Sequence, residues 1–78
     1  MFVLVGVIAS TGKKGNITPL YLHYKDMDFT VEKVLETKSE RFVSIHHISY
    51  KCYNFSLKEF FLEYDIKTSK WYFIEESI

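Results

Sequence analysis

"NFSLKEFFLEYD", Asn54 to Asp65, is the stretch on which the fold class turns. Leu57, Phe60, Phe61 and Tyr64 stand at i, i+3, i+4 and i+7, the stripe of an amphipathic helix. Ser56 and Glu59 have the spacing of a capping box, in which each side chain satisfies an amide of the helix's first turn. The same residues also read as a strand, with Phe60, Leu62 and Tyr64 on one face, then the turn "DIKTSK" and a last strand "WYFIEE". Local rules favour a helix over 57–64.

Immediately upstream, "VSIHHISYKC", Val43 to Cys52, sets two adjacent histidines and a cysteine in an apolar run. Along one uninterrupted strand His46 and His47 point to opposite faces, and His46 lies roughly 20 Å from Cys52 at about 3.3 Å per residue. Zinc ligands all lie within roughly 2.3 Å of one ion, so the strand cannot make a metal site by itself. The alternation also changes phase here, with Val43 and Ile45 on one face and Ile48, Tyr50 and Cys52 on the other. One extra residue at His46 or His47, a β-bulge, would bring all five to the core side.

Towards the N-terminus the patterns are those of strands and turns. Phe2 to Ala9 is apolar on both alternating faces, Phe2, Leu4 and Ile8 against Val3, Val5 and Val7, as in a strand covered on both sides. A second copy of so small a chain could supply one of the covers. Ser10 to Asn16, "STGKKGN", is a turn, followed by "ITPLYLHY" with Leu20, Leu22 and Tyr24 facing the core and Tyr21 and His23 facing out. Pro19, having no N–H, belongs at a strand start or on an edge. After a turn at Lys25 to Asp28, "FTVEKVLETK" reads as a strand through Phe29, Val31 and Leu35, in preference to the helical stripe Val31, Val34 and Leu35. "GVIASTGKK", Gly6 to Lys14, fails as a phosphate loop: five residues separate its glycines where the motif has four, and Lys14 stands where a Ser or Thr should follow the lysine.

Composition bounds the function. Seventy-eight residues make one domain, 1–78, burying roughly 60 to 65% of the surface its unfolded chain exposes, with an 18% aromatic content to fill the core. Ten Lys plus Arg balance ten Asp plus Glu, so the basic excess that phosphate neutralisation rewards is missing and nucleic acid is not the expected partner. A single cysteine excludes an internal disulfide and fits a reducing, cytoplasmic setting. The apolar run at Phe2 to Ala9 lacks the positive residue that precedes a signal sequence and is far short of the roughly 20 residues that span a bilayer, so no membrane association is expected.

"GNITPLYLHYKDMDFTVEKVLE", Gly15 to Glu36, together with "KWYFIEE", Lys70 to Glu76, resembles a group of short, uncharacterised bacterial proteins. These carry a Gly-x-Ile-x-Pro-Leu segment, a turn, a Val-Leu strand and a C-terminal aromatic strand. The resemblance covers about two thirds of the chain and departs from the group's pattern between Thr37 and Ile48. It implies a strand, not a helix, at Leu57 to Tyr64. It implies no activity.

The expected fold is therefore all-β, a small antiparallel barrel or meander of five or six strands, SH3-like. The expected function is non-enzymatic: a protein-interaction module, with a homodimer as one form of it, and a single-stranded nucleic-acid-binding barrel as the alternative. The interaction surface is placed on Tyr21, His23, Trp71 and Tyr72, since one of Trp71 and Tyr72 must point outward and exposed rings dock peptides or bases. No catalytic residue, cofactor or metal is expected: Cys52 reads as a small core residue, and Asp26 with Asp28 and Glu75 with Glu76 as solvated charges.

Overall fold

The structure, a computed structural model, describes residues 1–41 and 46–75, and at 40 and 41 the backbone alone. Seven antiparallel strands run in chain order: β1 Phe2–Thr11, β2 Ile17–Tyr24, β3 Met27–Thr30, β4 Lys33–Arg41, β5 His46–Asn54, β6 Lys58–Asp65 and β7 Lys70–Ile74. They lie in one sheet in the order β3-β2-β1-β7-β6-β5-β4, curled into a half-barrel. The expected all-β antiparallel class is found; the strand count is seven, because Val31 and Glu32 turn a corner between β3 and β4 where one strand was expected.

The deciding stretch is a hairpin. Asn54 Oδ1 accepts the N–H of Ser56 at 2.7 Å and of Leu57 at 3.2 Å, Asn54 pairs with Lys58, and Lys58 takes a left-handed φ of 62°. That is a three-residue loop closed by a left-handed residue. The helix stripe fails because Phe60 and Phe61 point apart: Phe60 and Leu62 enter the core while Phe61 faces out. β6 also lies between two partners, Tyr50 opposite Leu62 on β5 and Phe73 opposite Leu62 on β7. Both of its edges are then used, which no helix of eight residues packed on the sheet could match.

Two bulges reset the phase of the core pattern. Ile8 pairs with Tyr21 and Ala9 with Pro19, which leaves Leu20 unmatched and outward beside Tyr21. Leu20 was expected in the core with Leu22 and Tyr24; the extra residue puts Ile17 and Pro19 inside instead. Likewise Val34 pairs with Cys52 and Glu36 with Lys51, leaving Leu35 unmatched and exposed. At His46 and His47, where a bulge was expected, the pairing is regular, His46 opposite Arg41 and His47 opposite both Glu40 and Asp65. Val43 and Ile45, whose phase that bulge was to reconcile, lie outside the described residues.

The core is a stack of rings. Trp71 lies 4.6 Å from Tyr64 and 5.4 Å from Tyr50, and Phe73 lies 4.2 Å from Tyr24 and 5.9 Å from Phe60, centroid to centroid. Leu62 and Cys52 are fully buried beside them. The half-barrel's open seam, between β2 and β4, is bridged by hydrogen bonds to the β2 backbone. The Tyr50 hydroxyl donates to the Ile17 carbonyl at 2.6 Å, and Val31 N–H donates to the carbonyl of the bulged Leu20 at 2.8 Å. Pro19 faces this seam away from β1, so its missing N–H costs the β1–β2 ladder nothing.

Candidate interaction surface

β1 links the two halves of the sheet. Its first half, Phe2 to Val5, pairs with β7, and its second half, Gly6 to Thr11, pairs with β2. Burial alternates along it: Val3, Val5, Val7 and Ala9 face the core, while Phe2, Leu4 and Ile8 are 62%, 60% and 65% exposed. The strand expected to be covered on both sides is thus covered on one. Register sets Leu4 beside Tyr72, Ile8 beside Tyr21 and Phe2 beside Ile74 on the outer face, with the Phe2 and Tyr72 rings 6.4 Å apart.

Of the four residues placed on the surface from sequence, three belong to this face. Tyr21 is half-exposed, Tyr72 is partly exposed next to Leu4, and His23 lies opposite Gly6, its Nδ1 2.7 Å from Asp28 Oδ1. Trp71 does not belong there. It is 7% exposed and held between Tyr50 and Tyr64, because its partners Val5 and Tyr64 are inward residues and paired residues share a face.

A second feature, absent from any sequence pattern, is a free edge. Met1 and Glu75 exchange both backbone bonds, Met1 N to Glu75 O at 2.9 Å and Glu75 N to Met1 O at 2.8 Å. Bonded pairs alternate along an antiparallel ladder, so Val3 and Val5 bond β7 while the N–H and C=O groups of Phe2 and Leu4 point the other way. Among the described residues no strand lies opposite them, because β2 leaves the ladder after His23 and turns through Lys25 and Asp26, both at positive φ. A cleft of about 510 Å³ opens between Val3 to Gly6 and this turn. Beside it the Tyr24 hydroxyl donates to Glu75, which holds the Glu75 carboxyl below the usual carboxylate range, and Lys25 approaches the same carboxylate at 3.6 Å.

Cys52 is not placed for nucleophilic chemistry. It is fully buried, its thiol pushed up to about 12 by burial, and His23 lies on the opposite, outer side of the sheet. The thiol favours the protonated form in the folded state, so its contribution to stability is complete below pH 9 and is lost between pH 9 and about 12. At pH 10 the loss is expected to be on the order of 1 kcal/mol. Chemical denaturation at pH 8 and pH 10 checks this, and Cys52→Ala should flatten the pH dependence whatever its effect at pH 8. Among the described residues no three His, Cys, Asp or Glu side chains come together in metal-ligand geometry, and no helix is long and apolar enough to cross a membrane.

Comparison with protein-family models, with curated proteins and with solved structures finds no match to this chain.

Proposed function

We propose that the protein is a non-enzymatic protein-interaction module that works through the outer face of β1. The observation that carries this is the exposure of Phe2, Leu4 and Ile8 on a ten-residue strand without a single charge. Three large apolar side chains aligned on one strand, with Tyr21 and Tyr72 flanking them, make a contiguous patch rather than scattered surface residues. A net charge of zero leaves self-association unopposed by overall repulsion, so a second copy of the chain is the first partner to consider. The same reading takes the half-barrel as SH3-like, the location as cytoplasmic and the chain as one of the short bacterial proteins its sequence resembles. The lone buried cysteine and the Gly15 to Glu36 segment support the last two.

Tyr72→Ala should leave the fold intact while weakening binding of a second copy, measured by sedimentation, and Ile8→Lys should do the same for any other purified protein partner, measured by titration. Tyr21 and Tyr72, both outward, also suit base stacking. Salt-dependent binding of a single-stranded oligonucleotide that is lost in Tyr21→Ala, with no protein partner affected by Ile8→Lys, would replace the protein reading with that one.

A further inference from the structure

Resting on that reading, we infer that a second copy of the chain docks by strand addition at the free edge of β1, joining two sheets through Phe2 to Leu4. A sheet edge is a template for pairing, and proteins that do not use an edge blunt it with charge, brevity or distortion. The other edges of this sheet are blunted. β4 carries Lys33, Glu36 and Lys38 and is bulged at Leu35, and β3 is four residues long. The first half of β1 has none of these: Phe2 to Val5 is uncharged and regularly paired with β7, and no described strand pairs with its outward backbone groups.

The register of the pairing follows from which groups are open. Gly6 is already paired with His23, so only the N–H and C=O of Phe2 and of Leu4 are available. An antiparallel, two-fold symmetric ladder uses all of them in one way, with Phe2 of each copy opposite Leu4 of the other and the two Val3 residues facing across the axis. That register also sets each exposed Phe2 side chain beside an exposed Leu4, so the backbone pairing and the burial of the apolar face are one event. Of the charges that line the cleft, Lys25 lies against Glu75 within each copy, and Asp26 sits on the exposed turn.

Sedimentation equilibrium from micromolar to millimolar protein, with amide exchange followed by NMR at both ends of the range, tests the inference. The expected result is a concentration-dependent dimer in which the Phe2 and Leu4 amides slow their exchange while the Val5 amide, already bonded to β7, does not change. Leu4→Pro removes an N–H that no bond within the chain uses, and Leu4→Lys places a charge on the edge without touching the core. Both should be monomeric at concentrations where the parent protein is dimeric, and Leu4→Lys keeps the test valid if the proline variant unfolds. Ile8→Lys should still dimerise, because the Ile8 backbone is already paired with Tyr21. A dimer abolished by Ile8→Lys but kept by Leu4→Lys would overturn edge pairing while leaving face-on docking, and hence the proposed function, in place. A strict monomer at millimolar concentration would overturn the inference outright, and the module reading would then rest on a different protein partner.

Discussion

Trp71→Ala is expected to destabilise the protein by about 3–5 kcal/mol, the range for truncating a large buried aromatic ring. Trp71 is 7% exposed, stands against Val5 on β1 and Tyr64 on β6, and packs its ring on Tyr50 and Tyr64. Removing it opens a cavity where the β1–β7 and β6–β7 ladders share a core, and a rigid ring stack cannot collapse to refill it. A domain of this size has a total stability near the lower end of about 5–15 kcal/mol, so the variant should be largely unfolded at modest urea concentration. Its neighbour is the control. Tyr72→Ala removes an outward ring and should cost less than about 1 kcal/mol, while acting on binding. Equilibrium urea denaturation of both proteins reads the contrast directly, and it separates a core residue from an interface residue at adjacent positions.

The second large effect is expected at Asn54, the buried polar residue of the described core, 6% exposed. Its Oδ1 closes the β5–β6 turn through the Ser56 and Leu57 amides, and its Nδ2 donates to the Thr30 carbonyl, fastening the β3–β4 corner to β5. Two further bonds converge on that corner, Glu32 N–H to the Tyr53 carbonyl at 3.0 Å and Phe55 N–H to Glu32 Oε2 at 2.7 Å. Asn54→Ala leaves two amides and one carbonyl without their partner, and the expected cost is about 2–3 kcal/mol by the sum of a lost cap and a lost buried bond. Asn54→Asp keeps the acceptor for the turn and loses the donor to Thr30, so its cost should be smaller at neutral pH. Denaturation midpoints of the two variants rank the turn against the corner.

The turn at Asn54 also explains why the local reading of its stretch fails. A side-chain oxygen accepting the N–H groups two and three residues on is the chemistry of a helix N-cap and of a hairpin turn alike. Asn54, Ser56 and Glu59 therefore look like a helix start in either fold, and only strands on both sides of β6 exclude the helix. Periodicity alone carries both patterns, the stripe Leu57, Phe60, Phe61 and Tyr64 and the strand face Phe60, Leu62 and Tyr64. The phase changes are a related case. Side-chain alternation points to a bulge at His46 or His47, where the described pairing is regular; the bulges lie at Leu20 and Leu35. A bulge is visible only when two strands are set side by side, since one extra residue has no signature in its own strand beyond an apolar side chain facing out.

The candidate surface divides in the same way. Tyr21 and His23 could be placed on the outer face by alternation, and that one of Trp71 and Tyr72 points out followed from period two; which one does depends on β7's pairing with β1 and β6. That Phe2, Leu4 and Ile8 lie bare was not legible, because a strand apolar on both faces looks the same whether its second cover comes from its own chain or from another.

Alone, the amino-acid sequence determined an antiparallel β fold with an aromatic core and turns at Ser10 to Asn16 and after Tyr24. Those properties follow from side-chain periodicity, turn chemistry and spacing, all of which are local. Tertiary structure alone decided the strand at 58–65, the bulges, the side of Trp71 and the open edge at Phe2 and Leu4. Each of these depends on which backbone groups find a partner across the sheet, and pairing is a property of two strands that neither strand carries by itself.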